Sequence, residues 1–445
     1  MLLRLPVKPR RRALTVSSAS PISSRCSTSG GLPSGLAASW LVTHDITDLT
    51  CAELFKKVGT KNTTPVFFLR DPTKFPHFIH TQKRDPQTHL KDPDMFWDYL
   101  SLNPEAFHQV MILFSDRGTP KGYRFMHGYS GHTHKLVKED GSFVHAQFHC
   151  VSDQGIKTFT NEEAVKMAGE NPDYSNQDLF QAIERGEYPS WTLNVQIMTP
   201  EQAEQSGINI LDLTKIWPHK DYPLRPVGKL VLNENPKNYF AEIEQIAFAP
   251  SHLIHGVEPT ADPVLQSRLF SYPDTHRHRL GVNYAQLPIN SPINPPANFQ
   301  RDGAMAFYNQ GNRPNYQSSI QPLTYQRNPY DVSEHEQFVG GAIADLSVIT
   351  EEDFKQPRAL WQKVFDDAQR ERFVSNVAGH VGGVKSLEVK NRTLACFTAV
   401  DKDLGHRLVK ALNLQGRTRV PGGPLPREPQ EVVGRSRVGR WRELA

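Results

Sequence analysis

The residue types best suited to chemistry fall together in the stretch Arg268-Leu269-Phe270-Ser271-Tyr272-Pro273-Asp274-Thr275-His276-Arg277-His278-Arg279-Leu280-Gly281. If this stretch is helical, Arg268 lies four residues before Tyr272 and Arg279 seven after it, so both guanidiniums share a face with the phenol. A fixed cation beside a phenol favours its ionised form, and a tyrosinate is a hard anionic ligand for a ferric ion. The same residues fit a basic, His-rich surface helix or loop that holds a phosphate. Pro273 favours the loop, since it lacks a backbone donor and restricts Tyr272 before it. A different metal held by histidine pairs, His132 with His134 or His276 with His278, is a third use, although strands and a helix account for those spacings without a metal.

The elements that must position these groups are a sheet and several helices. Val144, Ala146, Phe148 and Cys150 alternate with His145, Gln147 and His149, the period of a half-buried strand. Asp140-Gly141 joins that strand in a tight turn to the run around Leu136 and Val137, which predicts a hairpin. Leu193, Val195 and Ile197 alternate in the same way, and Lys229 to Leu232 makes another short strand. Between them, Ser175 with Asp178 predicts a capped helix start and Gly186 its stop. Later, Trp361, Val364, Phe365 and Ala368, then Phe373, Val374 and Val377, fall at helical spacing, with Thr350 and Asp353 as a start. Leu404, Leu408 and Leu412 form one more apolar stripe.

Length and composition bound the function classes. A chain of 445 residues buries more than one core can hold, so two packed parts are expected. The net charge of +4 collects toward the two ends, which argues against a nucleic-acid partner. Cys26, Cys51, Cys150 and Cys396 have neither metal spacing nor a disulfide pattern and fit a reducing compartment. No apolar run reaches the ~18 to 20 residues of a membrane span, so no membrane partner is expected. Residues 1–41 are rich in Arg and Ser, the composition of a disordered or targeting arm. Residues 415–445 turn to Pro, Gly and Arg, a basic disordered tail.

Other strings lift Arg268–Gly281 above a local pattern: Val42-Thr43-His44-Asp45-Ile46-Thr47, Phe67-Phe68-Leu69-Arg70-Asp71-Pro72, His89-Leu90-Lys91-Asp92-Pro93-Asp94-Met95, Trp217-Pro218-His219-Lys220-Asp221 and Asn238-Tyr239-Phe240-Ala241-Glu242. Together they resemble the monofunctional haem catalases of the small-subunit, NADPH-binding type, in which a tyrosine is the established proximal haem ligand. The resemblance covers residues 42 to 412 and breaks between Lys61 and Asn62, where the family has a few dozen residues more. It implies an α+β fold: an antiparallel β-barrel, incomplete here, over 42–234, a wrapping segment with the proximal helix over 235–349, and a helical domain over 350–414.

The resemblance also implies roles. Tyr272 is the proximal ligand of haem b, Arg268 holds its phenolate, Arg279 pairs with a propionate, and Phe75 lies against the porphyrin. Asn62 matches the asparagine that polarises peroxide, but its neighbour Thr63 departs from the pattern, and the distal histidine has no counterpart. Its motif should precede Val42, where this chain is rich in Ser, Gly and Ala. A weak or inactive catalase is the expectation, with a pseudo-enzyme that retains haem or subunit binding as the alternative. His108, Ser115, Arg117, Tyr129, Trp217, His219 and Lys220 match an NADPH site, whereas Ile112, His127 and Val151 depart from it. Hydrogen peroxide as substrate, a homotetramer, and a peroxisomal location complete the expectation, with the mitochondrion as the alternative that the Arg/Ser-rich start suggests.

Overall fold

The computed structural model describes residues 64–138, 140–253, 256–291, 299, 302–307, 311–322 and 348–414, with the backbone alone of strands at 14–16 and 37–42. Asn62, Cys26, Cys51 and most of the segment before Thr64 lie outside the described residues, as does the tail past Leu414. The chain divides into two units, Met1–Lys74 with His108–Val348, and Phe75–Phe107 with Ile349–Ala445.

The first unit is built on one antiparallel sheet. Its strands are β1 (Leu14–Val16), β2 (Ala37–Val42), β3 (Gly128–Tyr129), β4 (His134–Val137), β5 (Phe143–Ser152), β6 (Ser190–Met198), β7 (Arg225–Glu234) and β8 (Val257–Pro259). The order is β1-β2-β7-β6-β5-β4-β8, with β3 paired to β5. Among the described residues this path does not close, so the incomplete barrel is an open sheet. The β4–β5 hairpin forms as its turn demands, with Gly141 at φ 82° and Leu136 opposite Val144. Phe148 lies opposite Val195 in the long β5–β6 pairing, and both point into a core that includes Leu136, Cys150, Trp191, Leu193, Val227 and Leu230. Burying each large side chain there contributes about 2 kcal/mol.

Two expectations change here. The period-two pattern of β5 predicts one wet face, yet His145, Gln147 and His149 are as buried as the apolar row. The segment 199–223 covers part of that second face: Gln196 on β6 donates to the carbonyls of Trp217 and Tyr222. Residues 1–41, expected as an arm, contain two strands instead. Ala37–Val42 pairs with β7 from Glu234 to Gly228, and Leu14–Val16 pairs with Ala38–Trp40. An unpaired edge of β7 would leave a row of backbone donors and acceptors open, and β-branched and aromatic residues in Trp40-Leu41-Val42 suit that place.

The helices of this unit are α3 (Phe107–Leu113), which starts at the boundary, α4 (Asn161–Glu170), α5 (Tyr174–Glu184), α6 (Pro200–Gln205) and α7 (Pro263–Leu280). Helix α5 starts one residue before Ser175, with Asp173 at its N-cap. The predicted capping partner, Asp178, instead takes two hydrogen bonds from the Arg124 guanidinium, at 2.8 and 2.9 Å. Gly186 ends the helix at φ 76°, as a C-terminal glycine does.

The second unit holds α1 (Phe75–Gln82), α2 (Pro93–Leu102), α8 (Glu352–Ala359), α9 (Asp367–Gly382), α10 (Leu387–Val400) and α11 (Lys402–Ala411). Phe75–Phe107 thus groups with the C-terminal helices, not with the barrel region 42–234 to which sequence order assigns it. Asp94 on α2 receives the backbone N–H of Lys385 and Ser386 at 2.9 Å each, and Trp97 Nε1 donates to His380 Nδ1 at 2.8 Å. Trp361 to Ala368 is not one helix. A π-turn, Leu360–Val364, leaves Val364 exposed, and a capping box at Asp366 begins α9 afresh. Phe373, Val374 and Val377 are buried on α9, and Leu404 and Leu408 on α11, as their spacing predicts.

Candidate functional site

Helix α7 carries the chemistry-bearing stretch, so Arg268, Tyr272 and Arg279 are helical despite Pro273. Its start is strongly determined. Asp262 caps it, with Oδ1 accepting from Val264 N at 2.9 Å and Leu265 N at 3.1 Å, and Pro263 occupies the first turn where its missing donor costs nothing. Gly281, at φ 102°, closes the other end, where Arg277, His278 and Arg279 complement the helix dipole. Pro273 withholds only the one hydrogen bond that would reach the Leu269 carbonyl.

Tyr272 is half-buried, and Arg268, one turn earlier, is buried with its guanidinium 5.3 Å above the Phe67 ring. No carboxylate pairs with Arg268 among the described residues. A buried guanidinium with unfilled donors lies one turn from this phenol and can donate to an anionic oxygen. On the other side of Pro273, His276 Nε2 donates to the Phe248 carbonyl and its Nδ1 accepts from Arg279 Nη2 at 3.2 Å. Arg279 also donates to the carbonyls of Glu244 and Ile246, which anchors the end of α7 to the 244–248 segment. Phe75 belongs to the second unit, at the residue after the 3-10 turn Pro72–Lys74; that turn itself packs against α7.

Sequence order hid two residues of this site. Asp262 turns its second oxygen, Oδ2, to His132 Nδ1 at 2.5 Å, and both side chains are buried. Arg268 is close enough to act on the His132 charge, so a carboxylate, an imidazole and a guanidinium form one buried array. Burial holds His132 neutral, against the pull of Asp262. His134, two residues on, stands 5.8 Å from the Phe148 ring, and burial pushes its pKa down to about 4. Asp262 lies 130 residues from His132, so no local spacing could join them; Asp-Pro ahead of a helix was the only local signal.

A second cluster lies on the opposite face of β5. Tyr129 receives a hydrogen bond from Arg117 Nη2 at 3.2 Å, and its ring meets His149 edge-on at 5.3 Å; His149 in turn meets His219 at 5.7 Å. The structure therefore brings together Arg117, Tyr129 and His219, and adds His149, which sequence analysis left as a strand residue. His127 joins them 6.2 Å from Tyr129. Ser115 caps the short turn that carries Arg117 and donates to the Ile112 carbonyl at 2.7 Å. His108 is buried, with Nδ1 donating to the Thr214 carbonyl at 3.2 Å, and burial lowers its pKa to about 4. Trp217 is buried against Tyr222, whereas Lys220 is exposed and makes no contact with the cluster among the described residues. No group of three or more His, Cys, Asp or Glu among the described residues is placed to hold a metal ion, which leaves the histidine-pair metal without support.

Comparison with known proteins comes to the same place. Residues 60–322 match the family described as Catalase, and residues 348–412 the one described as Catalase-related immune-responsive. A catalase of Schizosaccharomyces pombe is 55% identical over 378 residues, covering 84% of this chain and 73% of that protein. A peroxisomal catalase of Candida tropicalis is 53% identical over 360 residues, covering 79% and 73%. Among solved structures, a fungal catalase superposes with a TM-score of 0.80 at 43% identity, covering 91% of this chain and 87% of that one.

Proposed function

Because the chain belongs to the catalase family, we propose that it is a haem protein with an assembled proximal side and an impaired capacity to turn over peroxide. Catalases decompose hydrogen peroxide to water and oxygen, and hydrogen peroxide is the substrate of the family. The observation that carries the proximal half is the pairing of Tyr272 with a buried, carboxylate-free Arg268 on one helix. Haem, when bound, supplies the iron that exchanges electrons with peroxide. Tyr272 would ligate that iron through its oxygen, Arg268 would hold the oxygen anionic, Arg279 would meet a propionate, and Phe75 would lie against the ring. Asn62 would polarise the peroxide.

Impairment follows from what the sequence lacks between and before these residues. A positioned acid/base contributes ~10² to 10⁴ in rate, and no histidine of this chain matches the distal one. A pseudo-enzyme that binds haem or its own subunits without turnover is the second possibility, favoured by the same missing histidine. The cluster of Arg117, Tyr129, His149 and His219 supports a nucleotide site that would take NADPH. Assembly as a homotetramer belongs to the same proposal, and the names of the Candida relatives favour the peroxisome over the mitochondrion.

Oxygen release from hydrogen peroxide, normalised to haem bound, tests this function. A rate at least ~10²-fold below that of an intact catalase is expected from the missing acid/base. Release at the full family rate would overturn the impairment, and failure to take up haem would overturn the proximal half.

A further inference from the structure

Past the end of α7 the chain returns to it as a strap, residues 302–307. Asn283 Nδ2 donates to the Ala304 carbonyl at 2.8 Å and to the Asp302 carbonyl at 3.4 Å, and Phe307 N donates to Gln286 Oε1 at 3.0 Å. Two apolar contacts complete the strap. Val282 Cγ2 lies 3.2 Å from where a side chain on Gly303 would begin, and the Met305 ε-methyl 2.9 Å from where one on Gly281 would begin. Gly281, at φ 102°, is thus a seat as well as a helix stop, since any Cβ there would displace the thioether. Met305 itself takes φ 60°, a left-handed conformation unfavourable to a residue with a side chain, and its contacts hold it there. Yet the residue is open to solvent. Among the described methionines Met305 alone is exposed, at 69%, whereas Met111 and Met198 are fully buried.

We propose that Met305 is a peroxide modification site whose oxidation releases the 302–307 strap from the end of α7. The oxidant is hydrogen peroxide, the substrate of the family to which the chain belongs, and the reaction needs no haem. A sulfur lone pair attacks one peroxide oxygen. An S–O bond forms as the O–O bond breaks, and the departing hydroxide takes the proton left on the transferred oxygen and leaves as water. Sulfur loses two electrons and peroxide gains them. The product is a polar, chiral sulfoxide in place of a flexible apolar group. Seated on Gly281, the sulfoxide oxygen would forfeit water that it keeps by swinging outward, so the methyl leaves its seat. The left-handed backbone then loses a contact that holds it, and the strap relaxes away from the turn that carries Arg277 to Gly281.

Brief treatment of the purified full chain with hydrogen peroxide, read by peptide mass spectrometry, tests the modification. Met305 should gain oxygen at least ~10-fold faster than Met111 and Met198. Amide hydrogen exchange on the same samples tests the release. The amides of Gly281, Tyr284 and Phe307 should exchange ~10-fold faster once Met305 is oxidised, and recover after treatment with methionine sulfoxide reductase. Met305→Leu keeps an apolar side chain that peroxide leaves intact, and its exchange should not respond to peroxide. Met305→Gln carries a polar amide and should exchange fast without peroxide. Oxygen gained at Met305 no faster than at the buried pair would overturn the modification site. Exchange unchanged by oxidation of Met305, or accelerated equally in Met305→Leu, would overturn the release.

Discussion

The sheet carries histidines on its two faces, and the two groups are stabilised in opposite ways. On the core face, His132 is clamped by the Asp262 carboxylate, which also caps α7, so the imidazole, the helix start and Arg268 form one sealed unit. On the other face, His127 accepts a backbone N–H and His149 packs between aromatic edges. A carboxylate partner completes a site and closes it. A backbone partner orients the His127 ring and leaves its Nε2 donor to spare. The core face is thus suited to fixing the ligand of a cofactor, and the outer face to receiving a molecule that comes and goes.

The contrast can be broken by substitution, beginning on the core face. Tyr272→Phe removes the phenol oxygen proposed to ligate the iron, and haem retention should fall more than ~100-fold, beyond the loss usual for a supporting residue, as the visible haem band would report. Asp262→Ala leaves His132 and two helix N–H groups without their acceptor, and chemical denaturation should give a loss of about 3–5 kcal/mol. Acid acts on both faces. His134 and His108 are buried with pKa values of about 4, so the unfolded chain takes up their protons first as pH falls below ~6.5. Stability contributed by the neutral rings is complete above that pH and is lost down to about 4, at most about 3 kcal/mol for each. His134→Phe should make the acid transition shallower by one such share, measured as the unfolding free energy at pH 7 and at pH 4.5. On the outer face, Ser115→Ala should cost only about 1 kcal/mol, since it removes one turn cap and its hydrogen bond to the Ile112 carbonyl.

Legibility of the fold followed the reach of each signal. The β4–β5 hairpin was readable because Asp140-Gly141 and the alternation of β5 are local. Helix α5 was placed but its start was mistaken, because Asp178 had a better partner in Arg124, far away in sequence. The stripe from Trp361 to Ala368 kept helical spacing across a π-turn that spacing cannot detect. Strand Ala37–Val42 lay in a composition typical of an unfolded arm, and the open edge of β7, which draws it in, has no local signature. At the site, Arg268 and Tyr272 were legible from one helix turn, whereas His132 with Asp262 and His149 with His219 met only through the sheet.

Pro273 divides α7 into halves that answer to different neighbours. The residues before it, through Asp262, are tied to the sheet, and those after it, through Arg279 and His276, to the 244–248 segment. A helix interrupted in this way need not open as one piece. In amide hydrogen exchange, Val264 to Leu269 should share the slow rate of β4, while Arg277 to Gly281 should follow the 244–248 segment. The turn that carries Arg268 would then stay protected even while the end that anchors Arg279 breathes.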